Sequence, residues 1–127
     1  MAKHNEIGAT GEIVAAEFLE SKGHKILDRN FRRPYGEIDI VSRGRGGKIH
    51  FVEVKTVSWE TGTDTNQHSP LENIHQSKIE RLKRILQTYL AFKKIDSEWQ
   101  FDVMAVYLDK ENKTAKVRYL ENIILGL

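Results

Sequence analysis

The stretch that most constrains this chain is Gly36-Glu37-Ile38-Asp39-Ile40-Val41, followed by a glycine-rich turn at Arg43-Gly44-Arg45-Gly46-Gly47 and then Ile49-His50-Phe51-Val52-Glu53-Val54-Lys55. Two runs rich in β-branched and aromatic residues, alternating with period two and joined by glycines, predict a β-hairpin. Alternation places Glu37 and Asp39 on one face of the first arm, with Ile38 and Ile40 opposite. In the second arm Glu53 and Lys55 share a face with Ile49 and Phe51, and Val52 and Val54 lie opposite. An acidic pair and a Glu-x-Lys pair can therefore meet across the hairpin. Carboxylates are depleted in strands, are costly when buried without partners, and repel one another. Two arrangements would account for the pattern. One sets a cation between the acids, either the Lys55 ammonium or a hard divalent ion such as Mg²⁺. The other is a cross-strand salt bridge of Asp39 or Glu53 with Lys55 or an arginine of the turn, on a solvated face.

Asp39, thirteen intervening residues and then Glu53-Val54-Lys55 resemble the Asp…(Asp/Glu)-x-Lys signature of the PD-(D/E)XK nuclease superfamily. The longer strings Gly36-Glu37-Ile38-Asp39-Ile40-Val41 and Phe51-Val52-Glu53-Val54-Lys55-Thr56 are more specific and look like the bacterial YraN-like family of predicted endonucleases. The proline that the superfamily places before the aspartate is replaced by Ile38, as in resolvase-like members. The resemblance implies a restriction-endonuclease-like α/β fold and metal-dependent hydrolysis of phosphodiester bonds in DNA, with branched or junction DNA among the substrates. It assigns Mg²⁺ (or Mn²⁺) to Asp39, Glu53 and the backbone carbonyl of Val54. Lys55 would be the catalytic base or charge stabiliser, Glu12 would hold a metal-bound water or a second ion, and Glu37 would be a ligand or an orienting acid. A homodimer is also implied, because resolvases of that fold work as dimers.

A chain of 127 residues fits one domain spanning 1–127 with a single core. Its net charge of only +2 argues neither for nor against nucleic acid, so a basic surface would have to be local. Without cysteine, disulfides and thiolate metal sites are excluded. No apolar run approaches the length of a membrane span or signal core, which predicts no membrane partner and a cytoplasmic location.

Met1 to Glu6 reads as frayed, and a helix follows from Ile7 to Lys22, with an apolar stripe of Ile7, Val14, Ala15, Phe18 and Leu19 and with Gly23 as its stop. Glu12 lies about 20° from Leu19 around the helix, so it is the acid best placed to look inward. Gly11-Glu12 also matches the position from which the resembled families supply an acid. Lys25 to Arg32 predicts a first strand, turned by Pro34-Tyr35-Gly36 into the hairpin. Arg32, Arg33, Arg43 and Arg45, with Arg29 and Lys48, are candidate phosphate contacts around the acids, or else a solvated rim that offsets them.

The polar run from Val57 to His68 predicts a loop bordering the substrate path, in which Trp59 either stacks on a base or pins the loop. Ser69-Pro70-Leu71-Glu72 is a helix start, and the helix is expected to reach Lys94 with a stripe of Leu71, Ile74, Leu82, Ile85, Tyr89 and Phe92. Lys78 falls within that stripe and needs a partner. With Gln76 and Arg81 it is a candidate nucleic-acid contact. Trp99 to Tyr107 and Ala115 to Leu120 predict two last strands. Asp102, which resembles the Phe-Asp-Val element of the same family, is read either as structural or as supporting the site from behind the metal ligands, and the histidines show no ligand spacing. The resulting order is α-β-β-β-α-β-β around a mixed sheet. Competing readings are a nucleic-acid-binding module that kept the fold without the chemistry, and an interaction domain whose acids form salt bridges.

Overall fold

A computed structural model of the chain describes residues 2–59 and 76–125. The elements are α1 (Ala2–Ser21), β1 (Lys25–Arg33), β2 (Gly36–Arg43), β3 (Ile49–Trp59), α2 (Gln76–Phe92), β4 (Trp99–Asp109) and β5 (Thr114–Leu120). They form the expected order around a five-stranded sheet with spatial order β1-β2-β3-β4-β5. β3 and β4 are parallel and the other neighbours antiparallel. A parallel pair needs a crossover, and α2 lies within it.

Alternation in the central strands sorts the core into two layers. Phe51, Phe101 and Val103 face α2, where Leu82, Ile85, Leu86 and Tyr89 close over them. Val52, Met104 and Val106 face α1, against Ala15, Ala16 and Leu19. Val52 and Val103 are fully buried, as strands covered on both faces require. α1 ends where Gly23, at φ +90°, takes the left-handed turn and the Gly23 and His24 amides donate to the carbonyls of Glu20 and Leu19.

Several expectations are corrected. α1 begins at Ala2, so the polar opening residues are helical. β3 continues to Trp59, because its parallel ladder with β4 runs as far as Trp59↔Asp109 and carries Val57 and Ser58 with it. The rest of the predicted loop, together with the Ser69 cap, Leu71 and Ile74, lies outside the described residues. Phe92 is 61% exposed, not a core residue. It lies in the last turn of α2, with its ring 6.1 Å from that of Phe31.

The alternation of β2 also breaks at Asp39. Ile38 packs in the α2-side layer and Ile40 in the α1-side layer, so the two isoleucines do not share a face. Across the sheet, Asn30 of β1 has φ +54° between the Arg29↔Ile40 and Phe31↔Ile38 pairs, a left-handed kink that asparagine tolerates. The β2–β3 ladder runs from Arg43↔Ile49 to Ile40↔Val52 and carries no pair beyond it.

α1 is seated on β3 through Gly11, where an added Cβ would stand 1.9 Å from Thr56 Oγ1 and 2.7 Å from Thr56 Cβ. Gly11→Ala must push the helix off the sheet, and the overpacking outweighs alanine's better helix propensity. A net loss of about 1–3 kcal/mol in urea unfolding is expected. A variant as stable as the wild type would show that this contact does not set the helix position.

Candidate active site

Beyond Ile40↔Val52 the backbones of β2 and β3 no longer pair, and the Asp39 side chain bridges them instead. Its Oδ2 accepts a hydrogen bond from the Val54 amide at 2.8 Å. Burial pushes the Asp39 carboxyl up to about 7; the Val54 amide opposes this, while the charges of Glu12, Glu53 and Glu37 add to it. The fold has therefore gathered acids from α1, β2 and β3 around one poorly solvated carboxyl.

Glu53 is the second member. Its Oε1 pairs with Lys78 Nζ at 2.8 Å, and its side chain is only 16% exposed. Glu53 Oε2 is buried with no hydrogen-bond partner, the one such side-chain atom among the described residues. Lys55 sits two residues further along β3 and is half-buried. Glu12 is carried in by the close Gly11–Thr56 approach and lies 3.7 Å from Arg29 Nη2. Glu37 is exposed and pairs with Arg32 at 2.9 Å, so it acts on Asp39 only through its field.

The candidate basic residues do not form one surface. Lys78 and Arg81 line a cleft that also contains Glu53 and Glu37. Gln76 instead donates to Glu80 of its own helix at 2.9 Å. Arg33 lies over the Phe31 ring, 4.3 Å from its centroid. Arg43 ends β2, four residues from Asp39 or roughly 13 Å along a strand, and Arg45 lies beyond it against Gly23. The hairpin thus carries its turn arginines away from the acids, because a strand that places Asp39 at one end must place the turn at the other.

A second polar cluster lies near that turn. Among the described residues, His50, Asp102 and Glu121 form the one group of three possible metal-ligating side chains with donor atoms within 4.8 Å of one another. Asp102 is fully buried. It accepts hydrogen bonds from His50 Nδ1 (2.7 Å), Gln100 Nε2 (2.8 Å), the Asn122 amide (2.8 Å) and the Tyr119 hydroxyl. Burial would raise its pKa, but these donors hold it below the usual carboxylate range. A carboxylate can only accept, so His50 carries its proton on Nδ1. His24, 2.9 Å from Ser42 Oγ, stacks edge-on against His50, and its pKa is lowered by burial and by His50.

The two clusters differ in what they lack. Each oxygen of Asp102 already has two donors, so a cation there would displace bonds that tie β3, β4 and β5 together. Glu53 Oε2 has none. Mg²⁺ is commonly held by one or two carboxylates, with waters and substrate phosphate completing its shell. The Asp39 and Glu53 pair fits that demand without a compact trio of side chains. The two acids singled out in the sequence lie within each other's field, and Lys78, which the apolar stripe marked as needing a partner, has one in Glu53. The partners of Asp102 were missed, because 52 residues separate it from His50 and only the parallel register of β3 and β4 joins them.

The Asp39 shift sets a pH dependence. Its folded pKa lies above the unfolded value of about 3.9, so the stability it contributes is full below that value and is lost as pH rises through about 7. In chelator, Asp39→Asn should match the wild type near pH 4. It should melt several degrees higher at pH 8, since asparagine keeps an acceptor for the Val54 amide without the buried charge. A melting difference that does not change between pH 4 and 8 would contradict the shift.

Sequence comparison covers nearly the same span as these elements. The profile described as "Uncharacterised protein family UPF0102" matches residues 11–106. A UPF0102 protein of Wolinella succinogenes is 37% identical over 118 residues, covering 93% of this chain and 95% of that protein. One from Moorella thermoacetica is 40% identical over 116 residues, covering 90% and 91%. One from Flavobacterium psychrophilum is 35% identical over 122 residues, covering 96% of each. Among solved structures, Pyrococcus furiosus SfsA in complex with Ca²⁺ aligns with TM-score 0.37 and 13% identity, over 90% of this chain and 61% of that one. The chain belongs to the UPF0102 family, the YraN family that its hairpin motifs resemble.

Proposed function

We propose that this protein is a metal-dependent endonuclease that hydrolyses phosphodiester bonds in DNA, within the PD-(D/E)XK superfamily. The observation that carries the reading is Glu53 Oε2, a buried acceptor with no partner, beside an Asp39 carboxyl pushed up by burial and by three other acids. Nothing in a structural domain gains from such an arrangement, whereas a cation between Asp39 and Glu53 would satisfy both. Mg²⁺ or Mn²⁺ held there, with the Val54 carbonyl as a further ligand, would polarise a phosphate oxygen and lower the pKa of a bound water.

The chain's own groups divide the remaining work. Asp39 is oriented by the Val54 amide, which leaves its other oxygen for a ligand. Lys55, on the strand that carries Glu53, would orient or deprotonate the attacking water and stabilise charge on the phosphate. Glu12, paired with Arg29, would hold a water at the ion or a second ion. Lys78 is already at Glu53 and, with Arg81, lines the cleft by which a substrate phosphate would arrive. No described helix is long and apolar enough to cross a membrane.

The test is cleavage of labelled single-stranded, duplex, flap and four-way-junction DNA with Mg²⁺, Mn²⁺ or chelator. Wild type should cut only with metal, and Lys55→Ala should lower the rate roughly 10²- to 10⁴-fold, the range for loss of a positioned proton-transfer group. Asp39→Ala should abolish cutting. Binding without metal-dependent cutting would instead make the chain a nucleic-acid-binding module of the same fold.

A further inference from the structure

The cleft that contains Lys78 and Arg81 has a volume of about 490 Å³, within the range of about 300–1,000 Å³ typical of small-ligand sites. It lies between the β1–β2 turn and the first turns of α2, and Glu53 forms part of its wall, so whatever fills it adjoins the acids. Its turn side is Pro34 and Tyr35, and its helix side includes the apolar Leu82 and Ile85.

Tyr35 is held as a fixed plate. Its hydroxyl bonds Thr88 Oγ1 at 2.6 Å, and the Arg84 guanidinium, which is not part of the cleft, stands 3.7 Å from the ring centroid. The turn lies close to the helix: a Cβ at Gly36 would make ordinary contact with Ile85 Cβ at 3.8 Å. Beside the acids Glu37 and Glu53, the lining offers an aromatic plate, two aliphatic side chains and two cations, groups that match a base attached to a phosphate once a cation offsets the acids. Aromatic faces bind bases of any sequence by stacking, and cations follow the backbone.

We infer that this cleft receives one unpaired nucleotide of the substrate strand, next to the phosphate that is cut. The inference rests on the endonuclease reading and deepens it by naming the substrate class. A base inside a duplex is covered on both faces by its neighbours. To enter the cleft lined by Tyr35 and Leu82 it must leave the stack, at a cost that is least where it is already unpaired. The substrate class is therefore DNA with unpaired nucleotides at the cleavage point, as in single strands, flaps and bubbles, and not intact duplex.

The test follows binding of oligonucleotides with one 2-aminopurine, placed unpaired in a single strand or a bubble, or paired in blunt duplex. It is run with Ca²⁺ and again with chelator, so that binding is read apart from cutting. Wild type should bind the unpaired forms at least roughly tenfold more tightly and change the probe's fluorescence. Tyr35→Ala should weaken that binding roughly 5- to 100-fold, the span of one base–aromatic stack. Tyr35→Phe, which keeps the plate, should retain it, and melting curves check that each variant folds. Equal affinity for duplex, an unchanged preference in Tyr35→Ala, or equally tight binding of free dAMP would overturn the inference. Metal-dependent cutting of duplex and single strand alike, unaffected by Tyr35→Ala, would remove the cleft's role and leave the endonuclease reading standing. A Tyr35-dependent preference without any cutting would support the cleft and remove the endonuclease reading.

Discussion

The hydrogen bond from the Val54 amide to Asp39 is the contact on which the site depends. Up to Ile40↔Val52 the two strands satisfy each other's backbone groups; beyond it they part, and a side chain must answer an amide that the ladder has released. That exchange draws Asp39 into a poorly solvated position, and its carboxyl responds with a pKa of about 7. The opening lies opposite a kink in the neighbouring strand, where Asn30 is left-handed. A regular hairpin would have kept Asp39 in a ladder position and left no gap for a third group.

The rest of the fold holds that opening in place. α1 comes close enough to bring Glu12 only because Gly11 has no side chain to meet Thr56. α2 supplies Lys78 to one oxygen of Glu53 and leaves the other without a partner. At the opposite end of β2 and β3 the chain does the reverse: Asp102 is buried but fully bonded, and its donors tie three strands to the segment that follows β5. One buried carboxylate serves cohesion, while Glu53 keeps one buried oxygen without a partner.

Much of this was legible in the residues. The alternation of Ile49 to Val54 and of Phe101 to Val106 encodes strands with two covered faces, and Lys78 in an apolar stripe announces a partner. What was not legible depends on contacts distant in sequence. Strict alternation grouped Ile38 with Ile40, because the break between them, opposite the left-handed Asn30 of β1, leaves no mark in the sequence of β2. Asp102 looked partnerless, because only the parallel pairing of β3 with β4 brings His50 beside it, and its contact with Gln100 two residues earlier on its own strand gave no signal. Arg43 and Arg45 were grouped with the acids by sequence proximity, although an extended strand separates them. Phe92 fitted the helical stripe but lies past the end of the core, at the last residue of α2.

The central claim is that the demand for a cation lies at Asp39 and Glu53. Mn²⁺ titration followed by electron paramagnetic resonance, on wild type, Asp39→Asn, Glu53→Gln and His50→Ala, addresses it directly. The account predicts a bound ion in the wild type and in His50→Ala that is lost in both Asp39→Asn and Glu53→Gln. Binding that survives in those two variants, or disappears in His50→Ala, would contradict it.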